Sequence, residues 1–164
     1  MNTLNFKPVF LGQSILKYQV PLDIFTSINQ IYEQNYNSLA PANGQLVGKI
    51  EKEHSLFYHG KDQIKMKNHN FLPKNITDYF MQVFNHYLKF NAIQDYDTHL
   101  NSIWVNEMKQ HEYNPAHIHR GMLYTGLSSV MILKLPSTYG KEYSAEHIQQ
   151  NGRLQILGAS NGQF

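Results

Sequence analysis

The stretch LNSIWVNEMKQ, residues 100–110, alternates in character from one residue to the next. Trp104, Asn106 and Met108 fall on one side and Ile103 and Val105 on the other, the period of two that a half-buried β-strand requires. The next stretch, HEYNPAHIHRG at 111–121, carries a turn signal in Asn114-Pro115 and a break in Arg120-Gly121. Between them stands His117-Ile118-His119. In an extended segment residues i and i+2 project from one face, so both imidazoles can converge on a single ion, and imidazole suits iron, zinc, copper or nickel. Nine His in 164 residues give about half of one H-x-H pair by chance, so the triplet draws its weight from its setting. That setting is a strand end beside a loop, where sites are commonly built. The competing reading is a pair of solvated loop histidines.

Downstream, LSSVMILKL at 127–135 is rich in β-prone residues and stops at Pro136, and 153–157 alternates again after Asn151-Gly152. Upstream, 9–20 reads as a strand or the start of a hairpin around Gly12, ending at Pro21. After Pro21 the residues Leu22, Phe25, Ile28, Ile31 and Tyr32 recur at helical spacing, which predicts a helix to about Tyr36 with that face on the core. Pro41 and Asn43-Gly44 mark 38–49 as a loop, and 56–58 reads as a short strand. Pro73 and Asn75 open a second helix, with Asn75 as its N-cap and Asp78 favourable in its first turn. Its core stripe is Ile76, Phe80, Val83, Phe84, Tyr87 and Leu88. Helices first and strands afterwards predict a single α+β domain, helices buttressing a mostly antiparallel sheet or jelly roll.

Composition narrows the function. Fourteen Lys plus Arg against twelve Asp plus Glu leave a formal +2, too weak a field to favour nucleic acid or an anionic membrane as partner. The absence of Cys excludes disulfides, zinc ribbons, thiol catalysis and iron–sulfur ligation. No run of 18 apolar residues and no signal pattern at the N-terminus occur, so the expected compartment is the cytoplasm. A G-x-S-x-G elbow, a P-loop and a dinucleotide fingerprint are all missing.

Several of these segments together resemble a known family. Trp104-Val105-Asn106-Glu107-Met108, then Glu112-Tyr113-Asn114-Pro115-Ala116-His117-Ile118-His119, then Gly121, Ser128-Ser129-Val130-Met131 and Pro136, resemble the 2-oxoglutarate- and iron(II)-dependent oxygenases of marine phages and bacteria, relatives of prolyl 4-hydroxylases. The opening Pro8-Val9-Phe10-Leu11-Gly12-Gln13-Ser14-Ile15-Leu16-Lys17, with Pro21 and the first helix, is similar to the start of those proteins, so the likeness spans most of the chain. It implies a double-stranded β-helix, a jelly roll buttressed by the N-terminal helices, around a 2-His-1-carboxylate Fe(II) site with open positions for 2-oxoglutarate and oxygen. It implies a hydroxylase that couples oxidation of an unidentified substrate, a protein side chain or a small molecule, to conversion of 2-oxoglutarate to succinate and carbon dioxide. The setting implied is the cytoplasm of a bacterial or phage-infected cell. His117 matches the first ligand. Trp104, Asn106 and Tyr124 would line the pocket, with Asn106 and Tyr124 toward the cosubstrate.

Two departures accompany the likeness. His119 falls where the familiar motif has Asp, and stands either as a variant ligand or as a neighbour of the metal. The distal His of the family, and the basic residue that holds the far carboxylate of 2-oxoglutarate, have no counterpart before Phe164, and His147 sits among polar residues with no strand pattern. The resemblance thus implies a C-terminally incomplete domain lacking its last strands and third ligand, nearly inactive alone, with an exposed sheet edge open to association between copies. Two rival readings stand beside it. A cupin-like metal enzyme shares the H-x-H pair but expects a Glu soon after, and 120–125 has no carboxylate. A non-enzymatic jelly-roll binding or assembly module would make the histidines incidental.

Overall fold

Pro21 and Pro73 each stand at the head of a helix. The computed structural model describes residues 4–10, 14–42, 48–59, 70–115, 117, 126–140, 152–154 and 156. Its elements are strands β1 (Phe6–Phe10) and β2 (Ser14–Tyr18), helix α1 (Leu22–Asn35) with a 3-10 turn at Tyr36–Ser38, strand β3 (Lys52–Tyr58), helix α2 (Lys74–Phe90) and strand β4 (Ser102–Glu107).

In α1 the Phe25 N–H donates to the Pro21 carbonyl at 2.9 Å, and Asp23 lies in the first turn, where the helix dipole favours an anion. The helix buries Ile24, Ile28 and Tyr32. Leu22, predicted to face the core, is 76% exposed. At 100° per residue it lies about 200° round the helix from Ile24, which takes the inward place. In α2 the predicted cap is also displaced. Pro73 holds the N-cap position without a side-chain bond, its carbonyl accepting Ile76 N–H at 3.0 Å, and Asn75 falls inside the first turn. The buried residues of α2 are Ile76, Tyr79 and Leu88. Phe80 and Val83 pack against the core from its margin, while Phe84 and Tyr87 are half-buried.

The core joins α1, α2 and β3: Ile24, Ile28 and Tyr32 meet Leu39, Leu56, Leu72, Ile76 and Tyr79, with Leu56 and Ile76 fully buried. The β1–β2 hairpin pairs antiparallel, Phe6 opposite Tyr18, and lies on the C-terminal half of α2. There Tyr18 Oη meets His86 Nδ1 at 2.8 Å, Tyr87 Oη donates to the Ser14 carbonyl at 2.8 Å, and Phe6 sets its ring edge-on to His86 and Phe90.

Strands β3 and β4 form the second antiparallel pair, from Lys52 opposite Glu107 to Tyr58 opposite Ser102, with a bulge at Ser55/Phe57. β3 is longer than predicted and β4 shorter. Part of the predicted 38–49 loop lines the other edge of β3, where Ala42 N–H donates to the Glu53 carbonyl at 2.8 Å and Ser55 N–H to the Ala40 carbonyl at 2.9 Å. Residues 127–135, predicted as a strand, form no ladder with described residues. They still alternate: Met131 and Leu133 pack against the core, and Val130 and Ile132 are 63% and 53% exposed. Within the predicted strand at 153–157, Arg153, Leu154 and Ile156 lie outside any ladder, and both apolar members are exposed. Among the described residues no helix is long and apolar enough to cross a membrane.

Ile76 is therefore a more sensitive core position than Phe84. Ile76→Ala should cost about 2–5 kcal/mol, and Phe84→Ala less than the ~3–5 kcal/mol of a fully buried Phe, both measured by urea denaturation.

Candidate functional site

The path from β4 to His117 is held at three points. Glu112 N–H donates to the Lys109 carbonyl at 3.1 Å and closes a four-residue turn. His111 occupies its third position with φ 68°, a left-handed conformation uncommon for a residue with a Cβ. The Glu112 carboxylate then accepts Lys109 N–H at 2.7 Å and Glu51 N–H at 2.9 Å, and these bonds hold its carboxyl below the usual range. Lys49 and Tyr113 exchange two backbone bonds, at 2.8 and 3.1 Å. The close approach beside this bridge needs Gly48, because a Cβ there would press on the Tyr113 carbonyl and lie 2.8 Å from Pro115 Cδ. The groove between 48–51 and 109–112 carries Lys49 and Lys109 against Glu51 and Glu112, so it presents no net charge to a ligand.

His117 is exposed, and its Nδ1 lies 2.7 Å from the Pro115 carbonyl. A carbonyl only accepts, so Nδ1 carries the proton and the lone pair of the neutral ring is on Nε2. That is the arrangement in which a metal-ligating His is commonly found, its second nitrogen bonded to a backbone carbonyl. His119 and Tyr124, the other predicted ligand and pocket residue, lie outside the described residues, as does His147. Among the described residues no group of three His, Asp or Glu side chains is placed to hold a metal.

A second cluster has no counterpart among the sequence expectations. Ile103, Val105 and Glu107 share the inward side of β4, and the Glu107 carboxylate meets two phenols. Tyr32 Oη donates to Oε1 at 2.8 Å and Tyr36 Oη to Oε2 at 3.3 Å. Since the Tyr32 proton is committed to Glu107, its oxygen accepts from His54 Nδ1–H at 2.9 Å, which sets the His54 tautomer. Burial, and then the Glu107 hydrogen bond, raise the Tyr32 phenol well above its ordinary pKa, so it stays a donor. Lys52 Nζ donates to Tyr36 Oη and lies 4.8 Å from that ring's centroid, and the hydrogen bond raises the pKa of its ammonium. The readable signals are an acid at an inward strand position and two Tyr four residues apart, one in the last turn of α1 and one at its C-cap, whose hydroxyls need partners when buried.

Trp104 and Asn106 lie on the opposite, outward side of β4, as the alternation predicts, and both are exposed. Trp104 faces Ser55 across the sheet, and Asn106 faces Glu53, a buried carboxyl that no sequence motif marks. No family model matches the chain, and no curated protein or solved structure matches it.

Two measurements test this geometry. Tyr32→Phe strips Glu107 and His54 of a shared partner and should cost about 1–3 kcal/mol in urea denaturation. Glu112, with its folded pKa lowered, contributes stability that is present above its unfolded pKa and lost as pH falls through the folded one. Hydrogen exchange at the Lys109 and Glu51 amides should therefore quicken in that acid window relative to exchange in the core, and Glu112→Gln should remove the pH dependence.

Proposed function

We propose that the chain belongs to a 2-oxoglutarate- and Fe(II)-dependent dioxygenase, a hydroxylase in which His117 and His119 hold the iron within a jelly roll. The observation that supports this most is the His117 ring. It sits past a strand and a pinned turn, with Nδ1–H bonded to the Pro115 carbonyl at 2.7 Å, which fixes the tautomer that puts the lone pair of the ring on Nε2. The residue pattern from Ile103 to Pro136 supplies the rest of the support. Bound iron supplies oxygen activation coupled to oxidation of 2-oxoglutarate to succinate and carbon dioxide. The part of this chain is to present the His117 imidazole in a fixed tautomer, with the His119 imidazole as second ligand, and to offer Tyr124 to the cosubstrate as a hydrogen-bonding group.

A second reading, an assembly module without catalysis, is favoured by one specific observation. Val130 and Ile132 expose 63% and 53% of their surface in the same phase of one segment, and Leu135, in the opposite phase, exposes 59% close by.

Metal binding separates the two. Anaerobic titration with Fe(II) should show saturable binding by the chain, strengthened by 2-oxoglutarate, and His117→Ala should weaken it by about tenfold or more. Absence of Fe(II) binding, together with concentration-dependent association in sedimentation, would establish the assembly reading instead.

A further inference from the structure

The two faces of β3 are unequally satisfied. Lys52 and His54 point toward α1 and find partners there, whereas Glu53 and Ser55, one residue out of phase, point to the other face. Glu53 is 7% exposed, and its Oε2 has no hydrogen-bond partner among the described residues. Burial alone raises its carboxyl above the usual range, toward the neutral acid.

Backbone geometry places a second group beside it. The Glu53 carbonyl accepts from Ala42, so the backbone groups of Glu53 point to that edge and away from β4. Glu53 and its register partner Asn106 therefore form a non-hydrogen-bonded pair, the kind in which side chains lie closest, with Cα atoms about 4.5 Å apart. Asn106 is exposed, and no described residue bonds its carboxamide. Trp104 lies on the same side of β4, 37% exposed, two residues along the strand.

We propose that Glu53 and Asn106 form a binding subsite for an uncharged amide group of a ligand, with Trp104 as its apolar wall. In its protonated form, the one that burial favours, the Glu53 carboxyl offers an O–H and a C=O beside the carboxamide N–H and C=O of Asn106, and a ligand amide carries the complement of both. A carboxylate would satisfy the donors and face two carbonyl oxygens. An ammonium would face the N–H and O–H donors, and no other carboxylate of β3 or β4 lies on this face to balance it. A few polar groups set in an apolar wall are how small-molecule sites obtain orientation. The subsite goes beyond the iron reading and uses no metal.

The test compares three five-carbon probes, glutaramide, glutarate and 1,5-diaminopentane, titrated without metal into the isotope-labelled 164-residue chain and followed by NMR. Glutaramide alone should shift the Glu53 carboxyl and Asn106 carboxamide signals saturably. Glu53→Gln, which keeps a neutral donor and acceptor, should retain binding within about threefold, while Glu53→Met and Asn106→Ala should each weaken it about tenfold or more. Glu53→Met should also raise Tm, because it replaces an unpaired buried oxygen by an apolar chain. Should that variant fail to fold, Asn106→Ala, at an exposed position, decides between binding and its absence. Preference for either charged probe, absence of binding, or undiminished glutaramide binding by Asn106→Ala would overturn the proposal. The last two results would mean that a buried water or a rotated Asn106 satisfies Glu53. None of these outcomes bears on Fe(II) binding at His117.

Discussion

The Glu107 carboxylate, gripped by Tyr32 through one oxygen and Tyr36 through the other, is the contact on which the placement of α1 depends. An acid on the inward side of a strand is costly unless it is paired or hydrogen-bonded, and removing one partner of such a group is worse than never having buried it. Only one register of α1 brings both hydroxyls to Glu107, because the two tyrosines lie one turn apart. That same register brings Ile24 and Ile28 over Leu56. Apolar contact supplies more of the energy, but it tolerates sliding. The directional bonds do not, and they give the packed helix a single position over β3 and β4.

Much of this arrangement is legible in the sequence. Period-two alternation in 100–110 identifies β4 and places Ile103 and Val105 inward, Trp104 and Asn106 outward. Pro21 and Pro73 locate both helix starts, since a proline costs nothing where no intrahelical N–H bond is due. Individual facing is harder. Leu22 fits a helical stripe, yet it lies about 200° round the helix from Ile24, which is buried instead. Asn75 has the chemistry of a cap, but Pro73 already begins the chain's helical path. Tyr79 is absent from the predicted stripe, although it lies three residues after Ile76 and so on the same face, where its ring is buried.

The polar residues of β3 are the least readable part. KEHSLFY shows no clean alternation, because both its faces are covered and a bulge shifts its phase near Ser55. Strand pairing alone shows that Lys52 and His54 share a side with Glu107, while Glu53 shares one with Asn106. Pairing, though, is a long-range fact, with 43 residues between the strands and all of α2 in that interval. Local periodicity carries no such information.

The contrast between the two faces of β3 then separates structural polarity from functional polarity. On the α1 side each hydroxyl, imidazole and carboxylate of the cluster has a named partner, and such a closed network specifies position and little else. On the other side a carboxyl is buried with an oxygen unmet, next to a carboxamide bonded to no described residue. A fold selected only for stability has no reason to keep that oxygen, since an apolar residue of similar shape removes the desolvation cost at a stroke. Local rules broken without structural return are where sites are expected. In this chain such a place lies on the outward face of the strand that runs on, through the Lys49–Tyr113 bridge, to His117. The strand that anchors α1 on one side thus exposes its Trp and Asn on the other, and a single sheet carries both the lock and the candidate site.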